Sequence, residues 1–256
     1  MYHTFSVAET IKTAWNILKK NFVPLVVYSV ISLIINEALD FFKTFFLMGD
    51  YLTTIIFFFI ALITQCYIGL SFYKLILTLM DKEYYEFEFK DILPSMKMTL
   101  NFVIIGFLTA FLVAILFFFY VLAKRAIGLE SIFQTIELIL ILYISLRSIF
   151  CICFIVDDDS SPIESLKQSF EITKDNFFKT LSIFIIIIGI LFAALIPVFL
   201  VINLTGLDKN GGFIFRLAFY CWFLLTFPFI QVIIMVTYRK LVYSHLDVDD
   251  DLSETN

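Results

Sequence analysis

"SSPIESLKQSFEITKDNFFKTLSIFIIIIGILFAALIPVFLVI", residues 160–202, changes character in its middle. Up to Asn176 it is polar, with charges spaced as on a helix surface; from Phe177 onward Lys179 is the only charge. A bilayer core of about 30 Å asks for about 20 apolar residues in a crossing helix. The second half therefore reads as a membrane span. The first half is a charged helix that feeds the span.

Five more runs of this kind follow from the same test. The six expected spans lie near 21–39, 51–80, 99–123, 130–156, 177–202 and 213–243. Composition agrees: of 256 residues, 61% are hydrophobic and 16% charged, with a mean hydropathy of +0.96. Soluble domains carry about a quarter charged residues. The expected fold is an all-α membrane protein of six transmembrane helices plus two or three interfacial amphipathic helices. It forms a single domain over 1–246, with 247–256 as an acidic disordered tail. The N-terminus lacks the basic-then-apolar order of a signal peptide.

Basic residues orient such a bundle. Lys12, Lys19, Lys20, Lys74, Lys82, Lys90, Lys97, Lys167, Lys174, Lys179, Arg239 and Lys240 fall on one side or its boundary. Lys43, Lys124, Arg125, Lys209 and Arg216 fall on the other. Twelve against five, with Arg147 set aside, places both termini in the cytoplasm. The sequon at Asn203 sits at a helix end and is read as chance.

The charged helix has a counterpart. Shifted by 155 residues, "SVAETIKTAWNILKKNF" (6–22) lies over "SPIESLKQSFEITKDNF" (161–177), with seven of seventeen positions identical. Ser6 with Glu9, and Ser161 with Glu164, have the spacing of a capping box. Ala8, Ile11, Trp15, Leu18 and Phe22 recur at gaps of three and four, as do Ile163, Leu166, Phe170, Thr173 and Phe177. Each copy is expected to be a one-sided apolar helix lying in the interface or under the bundle. A fainter third copy, "FEFKDILPSMKMTLNF" (87–102), would be a helix capped by Asp91 with Pro94 in its first turn. The chain is thus read as parallel repeats, about 6–80, 86–156 and 161–246, each an interfacial helix followed by a transmembrane hairpin. Lys74, Arg147 and Lys240 recur in the second helix of the three hairpins, each followed by a mainly apolar run and an aspartate, Asp81, Asp157 or Asp247.

Candidate functional groups are the polar residues inside the spans. Glu137 and Arg147 are ten residues apart on one expected helix, about 15 Å along its axis, so they cannot sit at opposite interfaces. Ionisable groups at such depth are functional candidates by default. A structural role, by pairing across the bundle or snorkelling, is favoured over a lined pathway. Gln65, Gln231, Glu37 and Asn203 are further polar groups available as partners.

Other chemistry is thinly represented. Cys66, Cys151, Cys153 and Cys221 all lie in apolar runs and read as buried thiols. The acidic clusters at 157–159 and 247–251 lack the spacing of a calcium loop. Two histidines, His3 and His245, exclude a multi-histidine iron site. No nucleophile elbow, P-loop or zinc-protease motif is present. No cofactor is expected, and no nucleic acid, since no basic run exceeds Lys19-Lys20.

Arg147, the acidic turn at 157–159, the run Ile163-Glu164-Ser165-Leu166-Lys167, and then Ser169, Thr173 and Lys174 resemble a signature found in bacterial six-helix membrane proteins. That family includes the YciC-like proteins and the membrane-anchor domain of some glycerophosphoryl diester phosphodiesterases. The resemblance implies the six-span layout and the motif residues Ser161, Glu164, Lys167, Ser169, Thr173 and Lys174, but no particular activity. The soluble phosphodiesterase domain, with its metal-binding Glu and His residues, has no match in this chain, so its activity is not expected. The sequence therefore points to a non-enzymatic scaffold or accessory protein of the bacterial inner membrane, in contact with lipid and with other membrane proteins. A small transporter or channel using Glu137 and Arg147 is the alternative, and a lipid-directed membrane enzyme the weaker one.

Overall fold

The computed structural model describes residues 6–46, 50–81, 88–127, 130–205 and 212–253. Those residues form α1 (Val7–Lys20), α2 (Phe22–Phe46), α3 (Tyr51–Asp81), α4 (Met96–Ile127), α5 (Glu130–Ser148), α6 (Cys151–Asp158), α7 (Pro162–Lys174), α8 (Phe177–Thr205) and α9 (Gly212–Ser253), with a 3₁₀ turn at Phe89–Ile92. Six segments are long and apolar enough to cross a membrane, among the described residues. Helix α9 runs on through Asp247–Asp251, which the sequence set apart as a tail.

Three hairpins, α2–α3, α4–α5 and α8–α9, build the bundle, and burial concentrates toward the α7 end. There the second helix of each hairpin is buried along whole turns: Leu70–Leu79 in α3, Leu146 with Cys151–Val156 in α5 and α6, and Ile230–Leu241 in α9. At the far end the helices present Phe58, Phe111, Phe118, Phe192 and Phe199 outward. Large apolar side chains facing out are ordinary where the solvent is lipid.

Each hairpin is preceded by a segment that lies on another hairpin. Helix α1 packs on α9, the 3₁₀ turn on α3, and α7 on α6 and α5. Helix α1 ends at Asn21, whose side chain and backbone N–H both donate to the Ile17 carbonyl while its own carbonyl accepts from Leu25. Asn176 plays the same part before α8, accepting from the backbone and hydroxyl of Thr180.

The interfacial helices differ from their expected faces. Helix α1 buries Thr10, Ala14 and Leu18, and α7 buries Ser165, Ser169, Ile172 and Thr173, whereas Trp15, Phe22 and Ile163 are exposed. Small residues at four-residue spacing let backbones approach closely, and lipid accepts the large apolar ones. Neither serine cap uses its hydroxyl on the backbone N–H groups. Ser161 turns its hydroxyl toward Glu164 instead, and Thr10 donates to the Ser6 carbonyl. A capping box does form elsewhere, between Glu88 and Asp91.

The third copy also differs. Asp91 belongs to the 3₁₀ turn, and Leu93-Pro94-Ser95 breaks the chain before α4, whose first turn is capped by the Ser95 hydroxyl. Pro94 thus precedes the helix, as its missing N–H favours, and Asn101 lies inside α4. The fourth span is not continuous either: it stops at Ser148 and resumes at Cys151.

Candidate functional site

The break between α5 and α6 frees backbone groups in an apolar interior, where each must find a partner. Ser169 of α7 supplies it. Its hydroxyl donates to the Arg147 carbonyl at 2.6 Å and accepts from the Phe150 N–H at 3.3 Å. One turn further along α7, the Thr173 hydroxyl donates to the Ser169 carbonyl at 2.7 Å and accepts from Arg147 Nη1 at 2.9 Å. The polar chain therefore closes on itself through Arg147, Ser169 and Thr173.

Arg147 is 8% exposed and carries its charge at the C-terminal turn of α5, where the helix dipole favours a cation. The guanidinium carbon lies 5.0 Å from the centre of the Phe170 ring and 5.9 Å from that of Tyr143. Aromatic faces attract a desolvated guanidinium. Among the described residues no carboxylate pairs with it, and Nε has no partner. The site is therefore a cation held by one hydroxyl, a helix end and aromatic rings.

Two other basic residues have related partners. Lys74 of α3 donates to the Leu93 carbonyl at 2.9 Å, just past the 3₁₀ turn, beside a bond from the Ser71 hydroxyl to the Ile92 carbonyl. Lys240 of α9 pairs with Glu9 of α1 at 3.2 Å. Each basic residue in the second helix of a hairpin thus grips the segment that lies on that helix. Cross-ties complete the α7 end: Tyr238 donates to Asp157 at 2.9 Å, Arg239 pairs with Asp81, and Lys97 with Asp159. Asp159 itself ends α6 in the left-handed conformation (φ 51°), which aspartate tolerates.

The other candidates are not gathered here. Glu137 is half-buried on α5, and no hydrogen bond joins it to Arg147. Gln65 reaches Asn36 at 3.4 Å, and Gln231 buries its Oε1 without a partner. Glu37 is exposed on α2. Of the motif residues, Ser169 and Thr173 touch Arg147, Lys167 and Lys174 are exposed, and Ser161 with Glu164 begins α7. The side chain of Asn203 lies outside the described ones. Cys151 and Cys153 are buried, Cys66 is half-buried and Cys221 is exposed. No group of three or more metal-binding side chains occurs among the described residues. The sequence reading missed Phe150 and Tyr238, and it had Ser165 only within the family signature, not as a packing residue. The signal available for Ser165 was its four-residue spacing with Ser169 and Thr173.

No curated protein and no solved structure matches the chain. A family model, the membrane domain of glycerophosphoryl diester phosphodiesterase, matches residues 117–256, from within α4 to the end. That match covers more than half of the sequence and includes the whole Arg147 cluster, so the chain belongs to the family of glycerophosphoryl diester phosphodiesterase membrane domains.

Proposed function

We propose that this protein is a non-enzymatic scaffold or accessory protein of the bacterial inner membrane, with both termini and the 157–176 segment in the cytoplasm. The observation that carries the reading is the parallel use of Lys74, Arg147 and Lys240. Each is bonded to the segment that packs on its own helix, so the most deeply placed cation serves the same task as two nearer the surface. A pathway residue would be left free to meet a passing ion. Arg147 is engaged on the α7 side and covered by Phe170.

The repeat reading supports this assignment. Thr10, Ala14 and Leu18 are buried in α1, and the positions 155 residues later, Ser165, Ser169 and Thr173, are buried in α7. A ring of three like units, each clamped by the next, is a structural design. The family takes its name from the membrane part of an enzyme, and cleavage of phosphodiesters is not part of this proposal.

Ion and solute flux through reconstituted vesicles tests it. A scaffold gives wild-type vesicles no more leak than empty ones, and the Arg147→Leu/Thr173→Val variant folds with unchanged or greater thermal stability. Flux in the wild type that the double variant abolishes, with the fold intact, would establish the transport alternative instead.

A further inference from the structure

We propose that the seam between α5 and α8 holds one anionic phospholipid of the leaflet on the α7 side. Helices α5 and α8 are neighbours in the ring yet touch sparingly. Between them runs a groove of about 350 Å³, whose nine lining residues are all apolar or aromatic. Ile139, Leu142 and Leu146 form one wall, and Leu181, Phe184 and Ile188 the other.

Its length fits one chain of one leaflet. From Ile139 to Leu146 the wall runs about 10 Å, and from Phe177 to Ile188 about 16 Å, against about 15 Å for half a hydrocarbon core. The groove lies within two membrane-spanning segments, so acyl chains are what surrounds it.

The α7 end supplies the charge. Tyr143 and Phe177 close the groove there, and Arg147 lies over the Tyr143 ring with Nε buried and unpartnered. Lys174 ends α7, directly after the threonine that binds Arg147, and Lys179 lies in the first turn of α8. Glu171 and Asp175 share that region, leaving three cations against two carboxylates. A lipid phosphate at this end would meet Lys174 and Lys179, the more accessible cations, while its chain fills the groove. The proposal stands apart from the scaffold reading, because flux tests that reading and lipid preference tests this one.

Brominated-lipid quenching provides the experiment. The two native tryptophans, Trp15 and Trp222, are replaced by phenylalanine, and Ile185→Trp places a reporter in the groove. Leu142→Trp is the second reporter should the first fail to fold. Phe111→Trp, exposed on α4, reports ordinary lipid contact. Each full-length variant is reconstituted in phosphatidylcholine vesicles with rising fractions of brominated phosphatidylglycerol or brominated phosphatidylcholine. The groove reporter should reach half-quenching at about tenfold lower phosphatidylglycerol than phosphatidylcholine, the order that one or two basic groups provide. The Phe111→Trp reporter should show no such preference, and Lys174→Gln/Lys179→Gln should remove it from the groove. Equal quenching by both lipids at the groove reporters, the same preference at Phe111→Trp, or no quenching by either lipid would each overturn the proposal.

Discussion

Replacing Ser169 by alanine deletes one hydroxyl and orphans two backbone groups, the Arg147 carbonyl and the Phe150 N–H. Both lie at a helix break with no neighbouring turn to receive them. Leaving a buried polar group unsatisfied costs about 1–3 kcal/mol. Hydrogen bonds between membrane helices are on average worth less, about 0.6 kcal/mol each, because the unfolded chain finds partners too. Here the larger figure should govern, since Ser169 is fully buried and its partners belong to the main chain. The expected loss is about 2–4 kcal/mol for the pair. At roughly 2–4 °C per kcal/mol for a chain of this size, melting in mild detergent should fall by about 4–16 °C. Ser161→Ala is the control: its hydroxyl is exposed and caps no N–H, so its stability should change by less than about 0.5 kcal/mol and its melting by no more than about 2 °C. Equal shifts for the two variants, or an unshifted Ser169→Ala, would refute the claim that Ser169 stabilises the break.

Arg147→Lys should melt lower than wild type, because an ammonium has no planar face to lay on Phe170, and unshifted melting would refute the stacking role. Tyr238→Phe removes one bond to an exposed aspartate and should cost about 1 kcal/mol, read from the same melts. Cysteine labelling from outside the cell should modify positions in 206–212 and spare 160–170 in a background without native cysteines; labelling at 160–170 would reverse the topology. At the start of α3 the Asp50 carboxylate accepts from the Thr53 N–H at 3.2 Å and from its hydroxyl, a cap that holds the carboxyl below its ordinary value near 3.8; its contribution is present above that pH and is lost as pH falls through the lowered value. Wild type should therefore be the more stable near neutrality, and the Asp50→Asn difference should shrink in acid; a difference that grows as pH falls refutes the cap.

The spans were legible because the bilayer imposes a length on any crossing helix, and the run 177–202 could hardly be anything else. The turns at Asn21 and Asn176 were legible too, since charge stops abruptly beside them. The inward faces of α1 and α7 were not. Amphipathic reasoning assumes that apolar residues turn away from solvent, but near a membrane Trp15 and Ile163 have lipid to face. Close approach selects small side chains, and Ser165 and Ser169 look polar rather than buried in the sequence. The helix break at Phe150 left no proline or glycine as a sign. It depends on a partner nineteen residues away.

That dependence also explains why one position among the three is arginine. Lys240 meets Glu9 where its side chain is 24% exposed, and Lys74 reaches a carbonyl from a half-buried place. A strongly hydrated ammonium suits such boundaries, where water can complete its shell. Arg147 is deeper, and the α5–α6 break adds the need to hold α7 close enough for Ser169 to reach Phe150. A guanidinium is less strongly hydrated, lies flat between rings and still projects a donor, so it can be buried against Phe170 and Tyr143 while bonding Thr173. Removing that charge leaves α7 attached through Ser169, whereas removing Ser169 leaves the break without a partner. Of the two single changes, the serine should therefore be the more costly.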